Sequence, residues 1–505
     1  MQQSVYDPGF LTYGGGAAST VLHPIVAAAM CIAVVCLLAL PRKYAMAAFL
    51  FVVLMTPTGQ QLYIGGVHIF VHRILIVAGL IRVAWSKFSA KGEICAGGVT
   101  RIDKVFFCWA LFHAAASVLL NNVSSGAVVY EVGFLWDALG GYFLLRFFIQ
   151  DQESVEFVVK TFAWIVVVVS ATMVYEKFHD VNIFGYFGSV SLLPDVREGA
   201  IRSRGPFAHA ILAGVFGATV LPLFLWLWQS KAARLTAVAG IAGSTIMVLT
   251  SASSTPLLAY LSVILGCCFW VLRKQMRMFR WGIVIALVAL QLVMKAPVWF
   301  LINHIDIVAG NSSYHRAMLV DMFIRHFSDW WLVGTNDARN WGWDMWDTSN
   351  QFVGEGENGG LATFVCFVLI ISWSFGLIGK ARKRIEGDRN KEWLLWFLGV
   401  ALLANVTAYF GVSYFDQTKF MWFSLLAIIS VVTSSVLGVR GSSEVTDGPG
   451  WDARSAPEFP HPSPQSPGSF AYEPHRQLRP RPSQSRQPVV QDSNHHRHSI
   501  LNRKT

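Results

Sequence analysis

The sequence predicts an all-α fold, a polytopic bundle of about 12–13 membrane-spanning helices that carries a large polar loop. Composition is the first reason: of 505 residues, 54% are hydrophobic and only 14% are charged, whereas soluble domains carry about 25% charged residues. The second reason is that uncharged apolar runs, many of them near the roughly 20 residues needed to cross a bilayer, recur along the chain. The third is a long polar stretch between two such runs, residues 297–360.

The apolar runs set the order of the predicted spans. They are Val21–Leu40, Ala45–Thr56, Val67–Trp85, Val105–Leu120, Val132–Phe148, Val155–Tyr175, Pro206–Trp228, Leu235–Leu249, Pro256–Leu272, Trp281–Lys295, Leu361–Leu377, Trp393–Phe410 and Met421–Val439. The second run is short, so a re-entrant segment is an alternative to a full span there. Lys and Arg fall on alternate connections, which predicts that the N-terminus and both long polar loops lie outside and the C-terminus lies in the cytoplasm.

These spans divide the chain into five predicted segments. They are an extracytoplasmic N-terminal segment 1–20, a transmembrane scaffold 21–296 with an outer loop 176–205, the large extracytoplasmic loop 297–360, the C-terminal spans 361–440, and a tail 441–505. The tail is rich in Pro, Ser, Arg and His, and we expect it to be disordered because it has too little apolar surface to offset the entropy of ordering.

The outer loop places Arg202 and Arg204 immediately before a predicted span. Arginine suits phosphate because it stays charged and its planar fork can grip two oxygens. A lipid-linked diphosphate presents its phosphates at this depth, so either arginine is a candidate diphosphate ligand. Snorkelling to lipid headgroups is the structural alternative. For His209, a role in capping and packing is favoured over a role as proton carrier.

The large loop contains HRAMLVDMFIRHF, residues 315–327, in which apolar residues recur at helical spacing. This pattern predicts an amphipathic helix that lies on the membrane or over the scaffold. Arg316 on this helix is a candidate for a second diphosphate ligand. Asp321 and Arg325 are four residues apart and can pair with each other. The six tryptophans between residues 297 and 360 favour a position at the membrane–water boundary.

A polar, glycine-rich stretch before the next span supplies most of the candidate catalytic residues. Transfer of a group to a hydroxyl needs a base that removes the proton, and Asp347, Glu355 or His315 could serve. Solvated surface is the commoner role for any single carboxylate in an outer loop. Asn350 and Gln351, in the same stretch, are candidates for lining the substrate.

Two features of the spans themselves also invite a functional interpretation. Ser253 and Ser254 lie at the tip of a predicted helical hairpin, where their hydroxyls either line the same cavity or satisfy the hairpin backbone. Asp137 lies inside a span, where carboxylates are costly and often functional. A structural partner for it, Arg146 or a backbone amide, is an equal alternative.

Several motifs are absent from the sequence. It contains no GxxxxGK[ST] phosphate loop, no HExxH and no G-x-S-x-G. A nucleotide-linked donor is therefore not expected, and a lipid-linked donor fits an outward-facing site better. No cysteine pair has metal-ligand spacing, so no metal ion or other cofactor is expected. The net charge of +10 sits largely in short loops and the tail, so nucleic acid is not an expected partner.

Taken in order, these segments resemble the O-antigen ligase and polysaccharide polymerase superfamily. The segments that carry the resemblance are DALGGYFLLRFFI (Asp137–Ile149), IRSRGPFAHAILAGVFGA (Ile201–Ala218), LTSASSTPLLAY (Leu249–Tyr260), YHRAMLVDMF (Tyr314–Phe323), WWLVGTN (Trp330–Asn336) and DTSNQFVGEGENGGL (Asp347–Leu361). The resemblance covers about Ala45 to Val439.

The resemblance implies a lipid-carrier-dependent glycosyltransferase fold of the GT-C type in a bacterial inner membrane. It implies metal-independent, inverting transfer of a glycan from undecaprenyl diphosphate to a glycan or lipid acceptor on the outer face. The family arginines would fall on Arg202 or Arg204 and on Arg316. Many ligases have a His-Asn pair where this chain has Ser349-Asn350, which favours a polymerase or an exopolysaccharide-system protein and makes Asp347 the substitute base.

Two other functions remain open at this stage. One is a transporter or flippase for a lipid-linked sugar, since transporters also build polar sites within helical bundles. The other is a non-catalytic membrane component that works with other polysaccharide assembly proteins. Formation of a covalent product separates the enzyme from the transporter, and loss of product on changing a single arginine separates the enzyme from the assembly component.

Overall fold

The computed structural model describes residues 19–89, 95–304 and 312–438, and within these ranges the chain is mostly helical. Its helices are α1 (Pro24–Ala39), α2 (Arg42–Met55), α3 (Val71–Ser89), α4 (Arg101–Leu120), α5 (Ser125–Leu135), α6 (Gly141–Phe148), α7 (Gln152–His179), α8 (Ala210–Leu227), α9 (Arg234–Thr250), α10 (Ser254–Cys268), α11 (Met276–Val293), α12 (Ser312–Arg325), α13 (Phe327–Trp330), α14 (Gln351–Arg384), α15 (Arg389–Tyr409) and α16 (Thr418–Gly438). Two short antiparallel hairpins pair β1 (Gln61–Ile64) with β2 (Val67–Phe70) and β3 (Asp195–Arg197) with β4 (Ala200–Arg202). The predicted tail 441–505 lies outside the described residues.

Nine helices in the described ranges are long and apolar enough to cross a membrane. They are Arg101–Leu120, Ser125–Phe148, Gln152–His179, Ala210–Leu227, Lys231–Thr250, Arg273–Val293, Gln351–Arg384, Arg389–Tyr409 and Thr418–Gly438. Each overlaps a predicted span, which supports the predicted multi-pass architecture. The other four predicted spans correspond to α1, α2, α3 and α10. Of these, α1, α2 and α10 have 16, 14 and 15 residues, short of the roughly 20 that a typical bilayer requires.

The predicted third span begins four residues too early, because residues 67–70 form strand β2. Gly65 and Gly66 adopt positive φ values of 59° and 85° and close a two-residue turn between β1 and β2. Helix α3 therefore begins at Val71. Hydrophobicity alone cannot assign so short an apolar run to helix or strand.

Helix α14 begins at Gln351, ten residues before the predicted span start at Leu361. Asn350 is its N-cap, and its side chain accepts hydrogen bonds from the first-turn amides. The helix is broken at Gly360, where φ is 68° and ψ is −171°. At this break the N–H of Leu361 donates to the carbonyl of Trp331 at 2.9 Å. The large loop therefore provides the hydrogen-bond acceptor that the N–H of Leu361 does not find within the broken helix.

The helices pack around one apolar core. Helix α7 packs against α9, and α4 packs against α14. Helix α8 contacts α9, α10 and α15 and is the most deeply buried of the nine candidate spans. Helix α11 has no buried residue, as expected of a span whose sides face lipid.

Polar connections meet at one end of the bundle, which we call the loop end. There the N–H of Ala208, just before α8, donates to Asp416 Oδ2, just before α16, at 3.2 Å. At the opposite end, which we call the basic end, Arg273 Nε donates to Glu392 Oε1 at 3.2 Å and joins the connection after α10 to α15. The separation of polar loops from basic connections agrees with the alternation read from the sequence.

The predicted amphipathic helix is present as α12, followed by the single turn α13. Its buried side chains Leu319 and Phe323 form a small core with Trp330, Trp341, Met345 and Val353. Because Val353 belongs to α14, helix α12 lies over the scaffold. The predicted pair is also present, with Arg325 Nε 2.7 Å from Asp321 Oδ2.

Asp137 has structural partners, as one of the two alternatives expected, but Arg146 is not one of them. Arg146 instead pairs with Asp103, its Nε lying 3.0 Å from Asp103 Oδ1, and both residues are almost fully buried near the basic end. Asp137 lies in a π-helical segment between α5 and α6 and accepts from Arg73 Nε at 3.0 Å and Lys419 Nζ at 3.2 Å. The sequence spacing of nine residues between Asp137 and Arg146 did not reveal these partners from distant parts of the chain.

Candidate functional site

Two of the predicted diphosphate ligands, Arg202 and Arg316, approach the same helix end. Arg202 Nη2 donates to Ser253 Oγ at 2.7 Å, and Arg316 Nη1 donates to Ser254 Oγ at 3.5 Å. Ser253 and Ser254 are consecutive at the N-terminus of α10, so hairpin β3–β4 and helix α12 converge there. We call these four residues the arginine–serine cluster.

The N-terminus of α10 has no side-chain cap. Ser253 is the N-cap residue, but its hydroxyl donates to the carbonyl of Ser251 at 3.0 Å and does not cap the helix. Pro256, the third residue of the helix, has no N–H, so the amides of Ser254 and Thr255 are the first-turn donors. Together with the helix dipole they favour an anion at this helix end. The cluster thus combines two guanidinium groups, two hydroxyls and a helix N-terminus.

The tight β3–β4 hairpin positions Arg202. Glu198 and Gly199 have positive φ values of 51° and 77° at its turn, as a two-residue hairpin requires. The N–H of Ser203 then donates to the carbonyl of Thr250 at 3.1 Å, which ties the hairpin to the end of α9. Arg202 is consequently buried, and its Nε has no hydrogen-bond partner among the described residues.

Burial lowers the pKa of the Arg202 guanidinium, and nearby Asp195 only partly opposes this effect. Arginine stays protonated even so. The shift therefore means that the folded protein holds a desolvated cation with too little countercharge around it. An anionic group bound beside Arg202 would remove this imbalance.

Arg204, the other predicted ligand of the outer loop, faces a different direction. Its Nη2 donates to the carbonyl of Leu193 at 3.0 Å and lies 3.5 Å from Asp195 Oδ1. Its backbone N–H donates to Glu176 Oε2 at 3.0 Å. The structure therefore joins Arg202, and not Arg204, to Arg316 through neighbouring serines.

His209 is the N-cap of α8, and its Nδ1 accepts from the N–H of Ile211 at 3.4 Å. This geometry supports the favoured capping role. Burial lowers the pKa of His209, and the positive charge of Arg202 lowers it further. The negative charges of Asp195 and, to a smaller extent, Asp347 oppose this lowering of the pKa.

Lowering the pH is expected to destabilise the protein through His209. Because its folded pKa lies below the ordinary value of 6.5, the unfolded chain takes up the proton first as the pH falls below 6.5, and stability is lost. His209→Asn keeps a capping side chain but does not titrate there. The fall in thermal midpoint between about pH 7.5 and about pH 5.5, followed by tryptophan fluorescence, should be smaller in the variant. An equal fall in both proteins would contradict this role.

The three predicted bases lie in different surroundings. His315 Nε2 is 2.9 Å from the carbonyl of Asp344, so Nε2 must be the donor nitrogen in this contact. Asp347 is exposed. Glu355 is buried and accepts from Trp109 Nε1 and Gln351 Nε2, both at 2.7 Å. The structure therefore groups Glu355 with Gln351, away from the hydrogen bonds of the arginine–serine cluster.

Glu355 and Gln351 belong to a cavity of about 670 Å³. Its walls are formed by helices α4, α5, α14 and α16, the end of α15, the π-helical segment 136–140 and the connection before α16. Its lining is aromatic and polar and comprises Trp109, His113, Ser117, Leu120, Asn121, Tyr130, Glu131, Phe134, Asp137, Ala138, Asn336, Thr348, Gln351, Gly354, Glu355, Asn358, Phe367, Tyr409, Ser413, Tyr414, Phe415, Lys419, Trp422 and Phe423. The ion pair between Asp137 and Lys419 is therefore part of the cavity wall.

The connection between α15 and α16, residues 410–417, links this cavity to the arginine–serine cluster. On one side the carbonyl of Gly411 accepts from Thr255 Oγ1, in the first turn of α10, at 3.4 Å. On the other side Ser413 Oγ donates to the carbonyl of Thr348 at 2.8 Å. Burial raises the pKa of Asp416, the second-last residue of this connection.

Sequence reasoning did not select this connection or the cavity residues Trp109, His113 and Glu131. Glu131 directly precedes the predicted span Val132–Phe148, and it lies within the membrane-spanning helix only because α5 begins at Ser125. A carboxylate within a span is the feature that drew attention to Asp137. No local sequence signal distinguishes Trp109 or the connection 410–417, because their roles depend on contacts with segments that are distant in the sequence.

No protein-family model matches the sequence, and no curated protein sequence matches it significantly. Within the described ranges, no group of three or more His, Cys, Asp or Glu side chains is arranged to hold a metal ion. The residues that could carry the chemistry of the site are therefore those of the arginine–serine cluster, Asp347 and the adjoining cavity.

Proposed function

We propose that the protein is a membrane glycosyltransferase that takes a glycan from a polyprenyl diphosphate, such as undecaprenyl diphosphate, and transfers it to an acceptor sugar. The observation that carries the proposal is the approach of Arg202 and Arg316 to consecutive serines at an uncapped helix N-terminus. Guanidinium forks and helix amides are the groups that hold phosphates in proteins. The position beside apolar spans suits a phosphate attached to a lipid.

In this proposal the cluster acts on the leaving group. Negative charge grows on the diphosphate as its bond to the sugar breaks, and preorganised cations and amides stabilise that charge more than they stabilise the ground state. Asp347 is the proposed base, because it is exposed and directly precedes Thr348, which lines the cavity and contacts the connection 410–417. It would take the proton from the attacking hydroxyl of the acceptor.

The family resemblance extends the proposal to surface polysaccharide synthesis at the outer face of a bacterial inner membrane. Ser349 stands where many ligases have the His of a His-Asn pair, so a polymerase is favoured over a ligase. The acceptor would then be the sugar end of another lipid-linked glycan. Membrane lipids and other polysaccharide assembly proteins are the remaining proposed partners.

A transporter for lipid-linked sugars is the second candidate. The observation in its favour is the broken helix α14, which has non-helical geometry at Gly360 and also lines the polar cavity. Transporters commonly use discontinuous helices at their binding sites. A transporter would change the side of the membrane on which the glycan lies and leave its mass unchanged.

The deciding experiment uses purified full-length protein in vesicles with an undecaprenyl-diphosphate oligosaccharide as donor and acceptor. Mass spectrometry of the glycan should show growth by whole repeat units, with release of undecaprenyl diphosphate. Vesicles without protein are the control. An intact donor, also after addition of lipid A or another acceptor, would contradict the proposal, and accessibility of the donor to an external glycosidase would then test transport.

A further inference from the structure

The cavity beside α14 is lined by aromatic and polar side chains, and binding of a diphosphate at the arginine–serine cluster does not account for them. Its volume of about 670 Å³ falls among small-molecule sites, which span roughly 300–1,000 Å³. Thr348, which follows the proposed base Asp347 in the chain, is part of its lining. A ligand held here would therefore lie next to the segment that carries the base.

Glu131 is the residue in this cavity that most needs a partner. The residue is only 2% exposed. Neither carboxyl oxygen meets full hydrogen-bond geometry with a described residue, and the nearby Ser117 hydroxyl can donate to one of the two. A buried carboxylate without donors is costly. Glu355 already accepts from Trp109 and Gln351, so Glu131 is the carboxylate left to receive donors from a ligand.

The lining excludes several classes of ligand. A lipid chain offers no donor to Glu131, and its burial would leave the carboxylate unsatisfied. An anion would meet two carboxylates, Glu131 and Glu355, whereas Lys419 is already paired with Asp137. A metal ion finds no cluster of three or more suitable ligands in the described part of the chain. A neutral ligand with several hydroxyl donors remains, together with an organic cation, which competition with ethanolamine tests.

Aromatic rings also line the cavity. Trp109 packs edge-on against Phe134, with ring centroids 5.6 Å apart, and His113 stacks on Phe134 at 4.2 Å. Phe415 is 61% exposed although it also lines the cavity. Aromatic faces bind apolar surface, and the carboxylates bind hydroxyl groups. A sugar ring offers both, since its C–H faces are apolar and its rim carries hydroxyls.

We propose that this cavity is a saccharide site that holds the acceptor end of the glycan, with sugar hydroxyls donating to Glu131. This inference rests on the proposed function and adds the position of the acceptor. The connection 410–417, which contacts α10 on one side and Thr348 on the other, separates donor from acceptor. The acceptor hydroxyl would be presented beside Asp347, between the two sites.

Binding is tested without the donor. The probe is the oligosaccharide released from the lipid diphosphate by mild acid, and its binding to purified full-length protein is measured by saturation-transfer NMR. Glu131→Gln is expected to weaken binding about tenfold to a hundredfold, as for loss of a hydrogen bond to a charged group. Glu153→Gln, a change at an exposed carboxylate of α7, is the matched control and should bind as the wild type does.

Phe415→Ala is the second variant, because an exposed ring can be removed without opening the core. It should weaken binding about threefold or more through lost aromatic contact. Equal affinity of wild type and both cavity variants would overturn the proposal. Displacement of the probe by ethanolamine at lower concentration than by unlabelled glycan would also overturn it, since the cavity would then be a cation site.

The test separates this inference from the proposed function. Arg316→Gln should retain glycan binding, because Arg316 belongs to the cluster and not to the cavity. If wild type binds the oligosaccharide but transfers nothing, the transferase proposal fails and the saccharide site stands. If wild type transfers the glycan while Glu131→Gln binds and transfers normally, the transferase proposal stands and the saccharide site fails.

Discussion

Arg316→Gln is expected to lower glycan transfer by about a hundredfold to a thousandfold, the usual effect of removing one preorganised donor from a developing anion. Arg316 is 7% exposed and reaches α10 through Ser254, so glutamine at this position loses both the charge and the fork that grips phosphate. The loss should appear chiefly in kcat, because the charge on the diphosphate is greatest in the transition state. Initial rates of glycan growth in vesicles measure it.

The same helix provides a matched control. Arg325→Gln makes an identical chemical change nine residues further along α12, where the side chain is 66% exposed and pairs with Asp321. Asp321 is buried, but it also accepts from Trp299 Nε1 at 3.2 Å and therefore keeps a donor in this variant. Surface substitutions of this kind usually stay within about 0.5 kcal/mol, so transfer should change by no more than about twofold. Equal loss in both variants would indicate damage to α12 and would remove the argument for a diphosphate ligand.

The variant Arg316→Lys tests whether the positive charge alone or also the planar shape of the guanidinium group matters. Lysine keeps a positive charge but offers a single ammonium in place of the planar fork. If charge alone matters, the lysine variant should transfer nearly as fast as wild type. If two phosphate oxygens are gripped together, its rate should fall between the wild type and Arg316→Gln. Wild-type rates in Arg316→Gln itself would contradict the proposed role altogether.

The sequence was most informative where apolar runs are long. Helix α8 could be placed from Pro206–Trp228 because a span of that length leaves few alternatives. The error at Val67 has the opposite cause, since the four residues Val67–Phe70 fit strand and helix equally well. The early start of α14 was missed because glycines and glutamates at residues 354–360 suggested a loop, whereas the Asn350 cap and the bundle hold them in a helix.

The candidate site was predictable in part. Arginine chemistry selected Arg202, Arg204 and Arg316 as candidate ligands. Only the fold shows that Arg202 contacts Ser253 at the end of α10, whereas Arg204 contacts the carbonyl of Leu193. Glu355 was selected as a base from its position before a span. Its hydrogen bond to Trp109, 246 positions away in the chain, places it instead in the cavity wall. Long-range pairs of this kind leave no pattern in a single sequence.

A large effect on stability, separate from the site, is expected for Arg146→Ala. Arg146 is fully buried and donates to Asp103 through Nε at 3.0 Å and Nη2 at 3.2 Å. Asp103 is 1% exposed. Removing one partner of a buried ion pair leaves the other charge uncompensated and typically costs about 3–5 kcal/mol. The thermal midpoint in detergent, followed by the fluorescence of the chain's own tryptophans, should fall by several degrees or more.

Lys160→Ala provides the comparison, because Lys160 pairs with Glu156 at 2.8 Å one turn away on the partly exposed side of α7. An exposed pair of this kind contributes about 0.3–0.5 kcal/mol, so its loss should hardly move the midpoint. A similar small shift for Arg146→Ala would contradict the account of the buried pair. Since Arg146 lies near the basic end, the variant that remains folded at low temperature should still transfer glycan, whereas Arg316→Gln should lose transfer while its midpoint stays close to that of the wild type. The two variants therefore separate what holds the bundle together from what acts on the substrate.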